Sequence, residues 1–128
     1  MSSDEAEVLR ERADAFLKNA DRLAEEGVWD LAAFNIEQYC QLMLKYKLLT
    51  KTAAYPRTHS IMRLIRELSG ISQSLQTLLG NAENIVFLTK IEDVYIGARY
   101  LPRRYEEVEV KSMLRFAKEV FKVLVESI

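Results

Sequence analysis

The sequence predicts an all-α fold, an antiparallel up-and-down bundle of about five helices forming a single domain over residues 1–128. Three observations carry this. Apolar residues recur with the helical period along most of the chain, and no stretch alternates with the period of two that a half-buried strand needs. Only 4 glycines and 2 prolines punctuate 128 residues, too few for the tight turns of a sandwich or barrel. A composition of 49% hydrophobic and 29% charged residues suits one core that needs no disulfide or metal staple.

The elements follow in order. Ala6, Leu9, Ala13, Phe16, Leu17, Ala20, Leu23 and Ala24 make one stripe of a first helix, capped by Ser3 or Asp4 and ended by Gly27. A second helix runs from Asp30 as N-cap to about Leu49. Its apolar residues, among them Leu31, Phe34, Ile36, Tyr39, Leu42 and Leu44, spread around most of the circumference, which marks a central helix and a dimer surface. Lys51 to Pro56 reads as a loop, with Pro56 just ahead of a third helix that buries Ile61, Leu64, Ile65 and Leu68 and stops at Gly70. Ser72 or Ser74 opens a short turn of helix around Leu75, Leu78 and Leu79, broken by Gly80. Asn81 starts the next helix, with Ile85, Leu88, Ile91, Val94 and Tyr95. Gly97 to Arg104 reads as a second loop, basic and aromatic. The last helix starts near Glu106 and carries a long stripe from Val110 to Ile128.

The net charge of −1 hides an asymmetry. Residues 1–37 hold 4 basic and 10 acidic side chains, residues 38–82 hold 6 and 1, and residues 83–128 hold 8 and 8. The basic middle third is where an anionic partner would be met, and complementarity between acidic and basic segments of two copies explains the split equally well. One cysteine, Cys40, excludes a disulfide framework and a multi-cysteine zinc site, and its apolar helical setting reads as core. One histidine, His59, leaves histidine chemistry a single candidate. No metal or other cofactor is expected. The short apolar runs and the acidic N-terminus point to a chain that neither spans a membrane nor carries a secretory leader, and so to the cytoplasm.

Two segments gather polar and aromatic residues without helical periodicity: Tyr55-Pro56-Arg57-Thr58-His59-Ser60 and Ala98-Arg99-Tyr100-Leu101-Pro102-Arg103-Arg104-Tyr105. If they share one end of the bundle, Arg57, Arg99, Arg103 and Arg104 surround one anion. Guanidinium forks suit phosphate oxygens, and Tyr55, Tyr100 or Tyr105 can stack on a base. The free N–H groups opening the third helix would add donors. Against this, loop arginines often pair with nearby carboxylates such as Glu106, Glu107 and Glu109, and Thr58 serves equally well as an N-cap. His59 is read as a proton-transfer group, as a nucleotide contact, or as a structural tie to the second helix. Lys45 and Lys47 read either as more positive charge or as solvated lysines favoured by the helix dipole. The adjacent Glu92 and Asp93 make only a weak metal or acid–base pair.

The run Ala32-Ala33-Phe34-Asn35-Ile36-Glu37-Gln38-Tyr39-Cys40-Gln41-Leu42-Met43-Leu44-Lys45 resembles the second helix of HEPN domains. Pro56-Arg57-Thr58-His59-Ser60-Ile61 resembles that family's proline-x-threonine-histidine approach to its third helix, and Ala98-Arg99-Tyr100-Leu101-Pro102 its alanine-arginine-tyrosine-proline segment before the final helix. The likeness spans about residues 5–126. It implies a small helical bundle, commonly a homodimer, often encoded beside or fused to a minimal nucleotidyltransferase, with some such pairs acting as toxin and antitoxin. The family name refers to proposed nucleotide binding. Many members are metal-independent ribonucleases built on an arginine, four to six intervening residues and a histidine. Here an arginine so spaced from His59 would occupy position 52, 53 or 54, which hold Thr52, Ala53 and Ala54.

The sequence therefore favours a homodimeric, non-catalytic module that binds a nucleotide or other anion through Arg57, His59, Arg99, Tyr100, Arg103 and Arg104 and acts with a nucleotidyltransferase. The alternative is a divergent endoribonuclease toxin acting on RNA, with His59 as its proton-transfer group.

Overall fold

The computed structural model describes residues 2–128, with side chains from Asp4 onward. All of its regular structure is helical: α1 (Ser2–Glu25), α2 (Trp29–Thr52), α3 (Ile61–Ser69), α4 (Gln73–Leu79), α5 (Ala82–Tyr100), and a last helix made of α6 (Glu107–Phe116), a π-helical turn (Ala117–Phe121) and α7 (Lys122–Glu126). The expected bundle is present. Helix α1 begins at Ser2, ahead of both caps expected from the sequence, and the Ser3 side chain lies outside the described residues.

The α1–α2 turn follows directly from Gly27. Its φ of +74° is a left-handed conformation that a residue without Cβ adopts at little cost. Val28 N–H then reaches Leu23 O (2.9 Å) and Gly27 N–H reaches Ala24 O (3.1 Å), which satisfies the last carbonyls of α1. The chain reverses and α1 lies along α2.

Helix α2 packs against α1, α3, α5, α6 and α7. Most of its apolar circumference is thereby covered within one chain, while Leu31 stays exposed. Ala32, Ala33, Ile36, Tyr39, Cys40, Met43 and Leu44 have no exposed surface. Phe121 of the π-helical turn meets Tyr39 edge-on, with ring centroids 5.8 Å apart. Lys47 is not solvated either: it is buried and donates to the Ile128 carbonyl at 3.0 Å.

Three boundaries differ from the sequence reading. Helix α2 continues past Leu49 to Thr52, because Thr52 Oγ1 donates back to Leu48 O (2.7 Å) and Ala53 N–H reaches Leu49 O (3.0 Å). Helix α3 starts at Ile61, five residues after Pro56, and its N-cap is Ser60, whose Oγ accepts from Arg63 N–H at 3.1 Å. Thr58 instead accepts from Ser60 N–H at 3.1 Å. Helix α5 runs through Gly97 to Tyr100, so Gly97, Ala98, Arg99 and Tyr100 are helical rather than loop. Gly97 is buried, and a Cβ there would collide with the Tyr105 hydroxyl. The glycine admits a ring against the helix; it does not break the helix.

Ala53 caps α2 at φ +70°, a left-handed conformation unusual for a residue with a Cβ. Replacing it with glycine releases about 1–2 kcal/mol of strain against roughly 0.4–1 kcal/mol of added unfolded-state freedom. Ala53→Gly should therefore stabilise the protein by about 0.5–1 kcal/mol in urea unfolding; a loss of stability would show that the cap is unstrained.

Candidate functional site

Glu37, Gln41 and Lys45 recur every fourth residue of α2 and so share one face. This is a polar line in an otherwise apolar helix. Glu37 has no exposed surface. Its Oε1 accepts from Gln38 Nε2 and its Oε2 from Gln41 Nε2, both at 2.7 Å. Gln41 Oε1 accepts from Lys45 Nζ at 3.0 Å and lies 3.1 Å from His59 Nδ1. Burial pushes the Glu37 carboxyl up to about 7, against the opposing pull of the Gln38 and Gln41 amides and of the Lys45 and Arg99 charges.

The loop between α2 and α3 brings His59 onto α5. Its ring stacks on Tyr95, centroids 4.2 Å apart and planes 17° from parallel. One turn further along α5, Arg99 lies 4.8 Å from the centroid of the same Tyr95 ring and 4.8 Å from that of Tyr100, with Phe34 at 5.8 Å. Partial burial and the charges of Lys45 and Arg99 lower the His59 pKa, so the imidazole is neutral at pH 7. Among the described residues, no carboxylate lies within ion-pair distance of Arg57, Arg99 or Arg104.

His59 and Tyr95 form one side of a cleft of about 750 Å³, which Lys90, Asp93, Leu101, Arg103 and Tyr105 help to line. The two segments singled out from sequence thus meet at one end of one subunit. Their members are placed differently. Arg57 and Arg104 are exposed and do not line the cleft. Tyr100 is exposed beside Arg99. Arg103 lines the cleft, but its guanidinium is held by Glu109 at 2.7 Å and covers the Tyr105 ring at 3.9 Å. Tyr105 is buried, and its N–H donates to Asp30 Oδ1 at 2.8 Å. Tyr55 is half-buried, with Lys45 Nζ 5.6 Å from its ring centroid.

Two expectations are corrected. The N-terminus of α3 is not a free donor set, because Glu92 Oε1 accepts from Ser60 Oγ (2.8 Å) and from Met62 N–H (2.9 Å). A carboxylate already occupies the positive end of that helix dipole, so Glu92 caps a helix and does not pair with Asp93. Lys45 is half-buried and bonded to Gln41, not solvated. Among the described residues, no group of three or more His, Cys, Asp or Glu side chains is placed to hold a metal ion. No helix among them is long and apolar enough to cross a membrane.

Sequence reasoning named His59 and Arg99 but missed the tie between them. Tyr95 reads from sequence only as one more member of its helix, and Glu37 and Gln41 carry no local signal of their own. The polar line at every fourth position of a buried helix was the available signal.

The titration of Glu37 has a measurable sign. Its value in the folded protein, about 7, lies above the ordinary 4.5, so the folded state holds the proton more tightly than the unfolded chain. The stability tied to this group is complete below about pH 4.5 and is lost as pH rises to about 7, on the order of 3 kcal/mol in all. Glu37→Gln removes that dependence. In urea unfolding the variant should gain on the wild type by up to this amount between about pH 5 and about pH 8; parallel pH profiles would show that Glu37 stays ionised.

What the arrangement offers is a neutral imidazole, an arginine without a carboxylate partner, and aromatic faces beside a cleft. No curated protein matches the chain. The HEPN domain family model matches residues 6–128, nearly the full length, and with the all-helical fold this shows that the chain belongs to the HEPN domain family.

Proposed function

We propose that this HEPN protein is a homodimeric, non-catalytic module that binds a nucleotide or a related phosphate-bearing anion, in the cytoplasm, and acts beside a nucleotidyltransferase partner. The observation that carries the ligand half is Arg99. It is exposed, has no ion-pair partner among the described residues, and is flanked by Tyr95 and Tyr100 within reach of His59. A planar cation of this kind takes phosphate oxygens without displacing a carboxylate, and the exposed Tyr100 ring offers a face for a base. The homodimer rests on the family's common habit. The apolar side chains left exposed near the cleft, Val86, Ile96, Leu101 and Val108, support it. The non-catalytic reading rests on Thr52, Ala53 and Ala54, where the ribonuclease spacing would require an arginine.

One observation favours a second reading. His59 and Arg99, 40 residues apart in sequence, meet on the Tyr95 ring, so a histidine and an arginine are juxtaposed without the local spacing. That pairing supports a divergent, metal-independent endoribonuclease toxin.

Calorimetric titration with AMP, ADP and ATP tests the first reading. Wild type should bind, and Arg99→Ala should bind about 10- to 100-fold more weakly, the equivalent of one lost charge-assisted contact. No heat from wild type with any of the three removes the ligand half, and no complex with a nucleotidyltransferase encoded beside it removes the partner half. Cleavage of total RNA in chelator by wild type, lost in His59→Ala, would establish the ribonuclease instead.

A further inference from the structure

We infer that Gln41, clamped between Glu37 and Lys45, is a positioning residue that holds His59 as its Nδ1–H tautomer and so leaves Nε2 as a hydrogen-bond acceptor toward the cleft. The argument is one of donors and acceptors. Above about pH 7 the Glu37 carboxyl is ionised and only accepts, so the Gln41 end facing Glu37 Oε2 is then its NH2. An ammonium only donates, so the end facing Lys45 Nζ must be the amide oxygen. The two neighbours demand the same orientation, and a flipped amide would set a donor against the Lys45 ammonium. With its oxygen so placed, Gln41 can only accept from His59 Nδ1, 3.1 Å away, and its two lone pairs are then filled. The proton of the neutral ring resides on Nδ1.

Histidine free in water favours the opposite, Nε2–H form, so this preference is imposed by the fold. The Tyr95 stack fixes the plane of the ring, and the Glu92 carboxylate fixes the adjoining start of α3 through Ser60 Oγ and Met62 N–H. Nε2 has no hydrogen-bond partner among the described residues, and the side chain is exposed at the wall of the cleft.

The consequence is a division of labour within the site, and it rests on the nucleotide reading above. A bare Nε2 accepts, so the ligand group that meets it must donate: a ribose hydroxyl or an exocyclic amine. A phosphate oxygen finds no donor there and is left to Arg99. His59 is thus a sugar- or base-reading residue and not a phosphate ligand.

The protein has one histidine, so its two ring nitrogens can be read without assignment ambiguity. Two-bond 1H–15N correlation spectra of protein labelled at histidine, recorded above the titration of both His59 and Glu37, should show a protonated Nδ1 and an unprotonated Nε2. Gln41→Met, which removes the acceptor at similar volume, should return the ring to the Nε2–H form, and Gln41→Glu, which keeps an acceptor, should not. A wild-type ring in the Nε2–H form, or with the tautomer mixture of free histidine, overturns the inference, and that measurement needs no variant to fold. An unchanged tautomer in folded Gln41→Met also overturns it. Adding AMP should then shift the Nε2 resonance, and inorganic phosphate should not. An Nδ1–H ring with no response to AMP in spectrum or heat defeats the nucleotide reading and leaves the positioning role standing. AMP binding that leaves Nε2 unmoved, or a phosphate-induced shift of it, defeats the proposed division of labour.

Discussion

A carboxylate with no exposed surface sits in the middle of the central helix, and much of the site depends on how it is accommodated. Glu37 is surrounded by the helices that cover α2, and the partners it bonds are the Gln38 and Gln41 amides. Burying an ionised group costs several kcal/mol unless hydrogen bonds and charge replace its water. Two short amide bonds and the charges of Lys45 and Arg99 supply only part of that, which is why the group titrates near neutrality and not near 4.5. An apolar side chain at this position would carry no such desolvation cost. What the carboxylate contributes is orientation: it fixes one end of Gln41, Lys45 fixes the other, and the loop carrying His59 docks against the result.

Helix α5 supplies the opposing surface. Glu92, Tyr95 and Arg99 follow at spacings of three and four, so they lie along one face. Each meets a different need of the loop before α3. Glu92 accepts from the Met62 N–H in the first turn of that helix, Tyr95 takes the imidazole, and Arg99 extends the surface with a cation. One face of α5 is core, through Leu88, Ile91 and Val94, another is committed to this polar work, and the exposed Val86 and Ile96 blur the stripe between them.

How far the sequence reveals this varies with the range of the interaction involved. Helices set by their own periodicity and local caps were legible, such as α1 with Gly27 and α5 with Asn81, whose side chain accepts from Asn84 N–H at 3.0 Å. Gly97 was misread because the same residue type serves two purposes. At Gly27 the requirement is local, a positive φ; at Gly97 it is set by Tyr105, which arrives from beyond the helix and fills the space a Cβ would take. Glu92 was equally opaque. Nothing around it in sequence announces that its carboxylate closes the N-terminus of a helix thirty residues earlier. The site was half legible for a similar reason: His59 and Arg99 stand out by type, whereas the Gln41 amide that orients the histidine looks like any polar residue until its two charged neighbours are placed.

The cleft also distinguishes between arginines that sequence treats alike. Glu109 gathers both Arg103 at 2.7 Å and Lys90 at 3.1 Å, and although its partial burial works the other way, these cations hold its carboxyl below the usual range. Arg103 also covers Tyr105, whose backbone is tied to Asp30. Arg103 is thus already paired and braced, and an anion binding to it would have to compete with Glu109. Arg99 is held differently. Rings, not acids, lie against it, and although its charge reaches the buried Glu37 carboxylate, no carboxylate among the described residues is within ion-pair distance. An arriving anion meets Arg99 without breaking an existing ion pair, and it does so beside an imidazole whose outward nitrogen is poised to accept. The asymmetry between these two arginines gives the site a direction: Arg99 and Tyr100 do not line the cleft themselves, and they draw negative charge to the outer side of Tyr95, while hydrogen-bond donors are drawn to His59 at the cleft wall.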